Sequence, residues 1–255
     1  MLLAVDVGNT NVTLGVFDGD KLRHTWRMAT DVNQMGDEYA ALLLALLNYQ
    51  GVKASDIKEA ALCSVVPPLV GIFEELLERY FKVSPLVVRA GVKTGVRILA
   101  DNPREVGTDR IVNCAAAHFL YKRAVIVVDL GTGTTFDMVS KEGDFIGGVI
   151  APGIGIAAQA LYTRTAALPR VELVPPPKAI GTNTITAMQS GIVYGYIGLV
   201  EGLLVRIQKE LGEKALVVAT GGYADLIATG TKVIDKVNAD ITLIGLRLIY
   251  QMNKG

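Results

Sequence analysis

Hydrophobic and polar positions follow two different rhythms along the chain. Short, nearly continuous apolar runs at 2–7, 12–17, 60–65, 86–88, 124–129, 135–140 and 216–219 predict strands. Between many of them, apolar residues recur every three or four positions and predict helices. Residues 36–51 read as one, with Asp37 and Glu38 in its first turn and Gly51 at its end. Residues 67–81 begin on proline, at the position helices tolerate best. Helices are also predicted over 103–121, 183–212 and 241–253. Strands alternating with helices imply an α/β fold.

One pattern occurs twice. "AVDVGNTNVTLG" (4–15) and "VVDLGTGTTFDM" (127–138) each place an aspartate at the end of a buried strand, then a Gly-rich turn, then a second strand. Laying Asp6 on Asp129 aligns Gly8 with Gly131 and sets Asn9 and Asn11 against Thr132 and Thr134. Acidic turns follow both copies, "FDGDK" and "SKEGDF". A single turn of this kind is common. Two with matching strands on both sides indicate a duplicated unit.

The 255 residues suit one large domain or two small ones. Lys+Arg and Asp+Glu both number 25, so there is no basic excess to favour nucleic acid or a membrane surface, and neither partner is expected. Cys63 and Cys114 lie in apolar runs and read as buried thiols in a reducing compartment. "MLLAVDV" meets an acid at Asp6, too early for a leader's apolar core. The longest apolar passage, "GGVIAPGIGIAAQALY", is broken by Pro152 and glycines. A soluble, cytoplasmic protein is expected. His24 and His118 have no metal-ligand spacing, and Trp26 and the prolines at 175–177 suggest no chemistry.

Gly-rich turns expose backbone N–H groups and let the chain approach a ligand closely. Thr10, Asn11, Thr132, Thr134 and Thr135 add side-chain donors for phosphate oxygens. Aspartates at the strand ends would repel phosphate unless a cation stood between, held by hard oxygen ligands. Either turn alone reads equally well as a β-turn with Asx capping. Together they suit a clamp on a polyphosphate.

These two loops and a third, "VVATGGYADL" (217–226) with Gly221 and Gly222, resemble the actin / sugar kinase / Hsp70 ATPase superfamily. Within it, "DVGNTN", "DNPREVGTDR" (101–110), "DLGTGTTFD", "GGVIAPGIG" and "IGTNTITAMQSGI" resemble, in this order, the type III pantothenate kinases. The resemblance covers essentially the whole length. It implies a duplicated actin-like, ribonuclease H-like α/β fold with a cleft between two similar domains, 1–119 and 120–255. It also implies transfer of the ATP γ-phosphate to the primary hydroxyl of pantothenate, giving 4'-phosphopantothenate, the first step of coenzyme A biosynthesis.

By the same resemblance Asp6, Val7, Gly8, Asn9, Thr10, Asn11, Val12 and Thr13 form the first ATP-binding segment, and Asp6 acts on Mg²⁺ through water. Thr132 is a further ATP contact. Asp109 is the implied proton acceptor; its spacing alone reads equally as a helix-terminus complement paired with Arg110. Gly107, Thr108, Asp109, Arg110 and Thr184 are implied substrate contacts, although Thr184 alone reads as an N-cap hydroxyl. Asp129 is the implied ligand of a monovalent cation, K⁺ or NH₄⁺. The family is dimeric, so a homodimer is expected, using the helix at 183–212 with Gly191, Gly195, Gly198 and Gly202; a core-facing helix explains those glycines equally well. One departure stands out: Ala100 occupies a position where the family usually has tyrosine, with Asn102 nearby to compensate or the pocket reshaped. Two other functions fit the same fold: a regulator that has lost phosphotransfer, or a small sugar kinase. Retention of Asp6, Asp109, Arg110 and Asp129 favours the kinase over the regulator.

Overall fold

The computed structural model describes residues 1–254, which divide into two compact units, 1–116 with 240–254 and 117–239. In the first, β1 (Leu2–Val7), β2 (Asn11–Asp18) and β3 (Lys21–Ala29) form an antiparallel meander. The strands β4 (Glu59–Ser64) and β5 (Leu86–Val87) add to β1 in parallel, giving the order β3-β2-β1-β4-β5. After the two-residue strand β6 (Arg97–Ile98), the second unit repeats the plan. Its strands β7 (Val125–Leu130), β8 (Gly133–Val139) and β9 (Asp144–Pro152) are antiparallel, and β10 (Leu216–Thr220) and β11 (Lys236–Val237) join β7 in parallel. Even the irregularity recurs, at Val16/Phe17 and at Met138/Val139. The duplication read from two short turns therefore extends across five strands.

The return strands β3 and β9 are absent from the predicted set. On β3 exposed and half-buried residues alternate, so it has no apolar run; β9 is interrupted by Gly147 and Gly148. The second turn is also one residue shorter than the first. Asp6 pairs with Thr13 but Asp129 with Thr135, and Gly8 N–H donates to Asn11 O where Gly131 N–H donates to Gly133 O. Asn11 thus corresponds to Gly133, not to Thr134.

Strand alternation sorts each sheet into two faces. On β1, Leu3, Val5 and Val7 pack under α1 (Gly36–Tyr49) and α2 (Pro67–Leu76), beside Tyr39, Leu43, Leu69 and Phe73. Leu2 and Ala4 face the other way with Ala61 and Cys63 of β4. They pack against α3 (Thr108–Tyr121), through Val112 and Ala115, and against α7 (Ile241–Asn253), through Leu243, Leu246 and Ile249. In the second unit Ile126, Val128 and Leu130 pack on α5 (Thr184–Leu211) beside Val193 and Val200. The helices α4 (Ile154–Arg164) and α6 (Ala224–Ala228) complete the set.

Two expectations are corrected. The boundary 120–255 assigns the C-terminal helix to the second domain, yet α7 belongs to the first unit, because its apolar face is the lid of the Leu2/Ala4 side of the first sheet. The helix over 103–121 is two pieces. A 3₁₀ turn at Pro103–Glu105 is capped by Asn102 and ends at Val106, whose extended backbone (ψ 121°) breaks the helical path before α3 begins at Thr108.

Candidate active site

In the first unit Asp6 continues the parity of Leu2 and Ala4, so it emerges at the end of β1 on the face covered by α3. Its register partner on β4 is Cys63. Thr108 opens α3 against the same edge: the Cys63 thiol donates to the Thr108 hydroxyl at 3.2 Å, which donates to the Ser64 carbonyl at 3.1 Å. Asp109 follows in the first turn. Burial raises the Cys63 thiol well above its ordinary value, Asp6 adds to that, the Thr108 bond opposes it, and Asp109 raises it further. The thiol therefore stands among both carboxylates. The fold brings Asp6, Thr108 and Asp109, spread over a hundred residues of sequence, to one edge of one sheet.

Burial also raises the Asp109 carboxyl above the ordinary aspartate value, opposed by the Arg110 N–H, by the Arg110 charge and by its own N–H. One carboxylate oxygen accepts the Arg110 N–H at 2.8 Å. That fold-back requires Gly107: a Cβ there would lie 2.6 Å from Asp109 Oδ1. Asn102, one of the two ways considered to make up for Ala100 (the other being a reshaped pocket), is engaged locally. It accepts from Arg104 N–H and donates to Glu105 at 2.6 Å.

The turn at residues 8–11 is held from outside. Thr30 donates its hydroxyl to Gly8 O at 2.7 Å and its N–H to Thr10 O at 3.0 Å. Asn9, Thr10 and Asn11 are exposed, whereas Val7 and Val12 are core residues that can offer a ligand only backbone.

In the second unit three glycine-containing segments meet around Asp129. Gly221 has φ +92°, in the region that favours glycine, and a Cβ there would fall 2.6 Å from Asp129 Oδ1 and 2.7 Å from Leu130 O. Gly153, which precedes α4, sits against the second turn so closely that a Cβ would come within 2.1 Å of Thr132 O. Thr134 and Thr135, expected among the phosphate donors, are both engaged within the protein, Thr135 half-buried on the face of Asp129, its register partner. Thr134 is wholly buried and bonded to the Tyr196 hydroxyl, which also donates to Pro152 O at 2.9 Å. Thr135 donates to Asp137 at 2.8 Å. Thr132 is the exposed threonine at the tip of the turn.

Thr184 is the first residue of α5, and the N-cap role is taken by Asn183, whose side chain accepts from Thr186 N–H at 2.9 Å. Thr184 is exposed and lines an open groove of about 880 Å³ between α4 and α5, with Ala157, Leu161, Gly191, Gly195 and Tyr196. A Cβ at Gly191, Gly195 or Gly198 would meet nothing within 4 Å, so these glycines face away from the core. The core-facing reading of that stripe is set aside. By length and composition α5 could also cross a membrane, but 44% of its most apolar window is buried inside the unit.

Cys63 is the site residue that sequence reading passes over as a bland thiol; its link to Thr108 spans 45 positions and leaves no local pattern. Tyr196 is likewise visible only once α5 lies over the second turn.

The activator of 2-hydroxyisocaproyl-CoA dehydratase from Clostridium difficile, solved with bound ADPNP, superimposes with a TM-score of 0.55 at 13% identity, over 98% of this chain and 93% of that one. The ethanolamine utilization protein EutJ from Carboxydothermus hydrogenoformans gives 0.53 at 13% identity, over 97% and 89%. These likenesses bear on fold, which is the duplicated actin-like one. Sequence goes further. A type III pantothenate kinase from Dehalococcoides mccartyi is 58% identical over 253 residues, covering 99% of this chain and 96% of its own length. One from Moorella thermoacetica is 53% identical over 99% and 100%. The family model for type III pantothenate kinase matches residues 2–206, a span that takes in both Gly-rich turns, Asp109 and Thr184. With that span and those identities, the chain belongs to the type III pantothenate kinase family.

Proposed function

We propose that this chain catalyses ATP-dependent phosphorylation of pantothenate, the step that opens coenzyme A synthesis, with Asp109 as proton acceptor. The observation that carries the assignment of roles is the gathering of Asp6, Thr108 and Asp109 at one sheet edge. Phosphoryl transfer asks for in-line positioning and charge neutralisation rather than covalent work. The primary hydroxyl of pantothenate attacks the γ-phosphorus, its proton passes to Asp109, and ADP leaves. Because the transition state is loose, Asp109 orients the hydroxyl before it accepts the proton. Burial that raises its basicity assists the second task. Gly107 and Thr108 offer backbone to the substrate, and Arg110 a cation for its anionic end or for the transferring phosphoryl. Thr184 offers a hydroxyl at the mouth of its groove, and residues 6–13 with Thr132 serve ATP.

Among the described residues no group of three or more His, Cys, Asp or Glu is placed to hold a metal ion. Mg²⁺ fits as an ion carried by the triphosphate, with Asp6 as a single carboxylate acting through water; it supplies charge neutralisation. A monovalent cation would be held by the Asp129 carboxylate at the end of β7, against which the Gly221 turn packs closely. The exposed glycine stripe of α5 supports a homodimer built on that helix. The setting is the cytoplasm.

Mass spectrometry of the product from ATP with pantothenate, and in parallel with small sugars, tests the substrate. A phosphorylated pantothenate alone is expected; phosphorylated sugar without phosphopantothenate would select the sugar-kinase reading, and no product at all the regulator.

A further inference from the structure

We infer that Cys63 and Thr108 form a clamp that aims Asp109, making both of them positioning residues for phosphoryl transfer. The inference rests on the proton-acceptor role of Asp109. Its basis is a relay of two hydrogen bonds, from the Cys63 thiol to the Thr108 hydroxyl and from that hydroxyl to the Ser64 carbonyl. The relay joins the end of β4 to the first residue of α3.

Both ends of the relay are fixed. Cys63 is fully buried, in register with Asp6, inside the cluster that contains Ala61, Val112 and Ala115. Ser64 turns the chain sharply, its hydroxyl bonded to Val66 O at 3.1 Å and accepting Val66 N–H at 3.0 Å. Val65 N–H donates to Val7 O at 3.1 Å, which ties this turn to the strand bearing Asp6. Thr108 therefore has one rotamer that satisfies both partners, and its hydroxyl is committed to Cys63 and Ser64. The next residue is Asp109, whose carboxylate is already confined by Gly107 and by the Arg110 N–H. A hydroxyl at position 108 thus fixes the first turn of the helix that carries the base, and does so relative to Asp6. A preorganised site depends on such supporting bonds, since small misplacements cost large factors in rate.

The test compares Thr108→Val, which keeps volume but loses both bonds, with Thr108→Ser, which keeps the hydroxyl, in the full-length protein. Thr108→Val is expected to lower kcat about 10-fold with the KM for ATP within 2-fold of wild type, and Thr108→Ser to recover kcat to within about 3-fold. In an Asp109→Asn background, Thr108→Val should cost less than 2-fold, because the group it aims is gone. Cys63→Ala, which removes the buried Sγ and with it the thiol donor, should lower kcat in the same manner and serves if the valine variant does not fold. The clamp is overturned if Thr108→Val or Cys63→Ala has wild-type kcat, if serine does no better than valine, or if the valine loss is the same in both backgrounds. Lack of pantothenate turnover in the wild type, or near-normal turnover of Asp109→Asn, would instead defeat the functional reading on which the clamp stands.

Discussion

The burial that raises the Asp109 carboxyl also carries a cost in stability. The folded state holds its proton more tightly than the unfolded chain, whose aspartate has a pKa of about 3.9. Its contribution to stability is therefore complete below that pH and is lost as pH rises through the higher folded value. At neutral pH the ionised carboxylate is a liability to the fold. Asp109→Asn should raise Tm at pH 7, the gap closing near pH 4, while lowering kcat by at least ~10²-fold with ATP binding retained. Thermal melts at the two pH values and calorimetric titration with an ATP analogue check this. A lower Tm at pH 7 would contradict it. The acid limb of the wild-type kcat/KM profile should lie above the ordinary aspartate range and vanish in the variant. Gly221→Ala makes a harsher case: positive φ and a methyl against Asp129 Oδ1 and Leu130 should destabilise the second unit by more than about 1 kcal/mol, read by denaturant unfolding.

At the scale of elements, α7 shows how far from its chain neighbours a helix can act. Leu243, Leu246 and Ile249 seal the face of the first sheet from which Asp6 emerges. Gly245 lets the helix approach so closely that a Cβ would meet Val112 O at 2.3 Å. Leu246→Ala should therefore cost about 2–5 kcal/mol in stability, measured by urea unfolding. A loss under 1 kcal/mol would mean that α7 is not the lid described. The amphipathic pattern of 241–253 announces a helix, but nothing in it names the sheet it covers, and hence the domain boundary was misplaced. Strands with apolar runs were legible for the same reason that β3 and β9 were not. Burial on one or both faces writes itself into composition, while an edge strand such as β3 with Lys21, Arg23 and Arg27 pointing outward does not. The two turns were legible as a repeat because each joins an equivalent pair of antiparallel strands with an aspartate at the same place and glycines in the turn. Thr134 and Thr135 show the limit of that legibility: composition cannot tell a threonine aimed at a ligand from one aimed at Tyr196 or Asp137.

For the whole molecule, two repeats of one five-stranded plan each carry an aspartate at the equivalent strand end, with different neighbours. Asp6 lies beside Cys63 and the start of α3; Asp129 lies beside the Gly221 turn. That divergence motivates different partners, a nucleotide-borne Mg²⁺ for one and a monovalent cation for the other. Asp129→Asn should abolish the difference between K⁺ and Na⁺ in turnover; an unchanged cation dependence would remove the assignment. Sedimentation should give twice the mass of one 255-residue chain, and a fully active monomer would remove the role given to the α5 glycines. The most direct test is a coupled ADP-release assay with ATP and pantothenate in K⁺, run on wild type and Asp109→Asn side by side. Pantothenate-dependent ADP release by the wild type and its loss of at least ~10²-fold in the variant is the predicted result. ADP release that ignores pantothenate, or a variant as fast as the wild type, would contradict it.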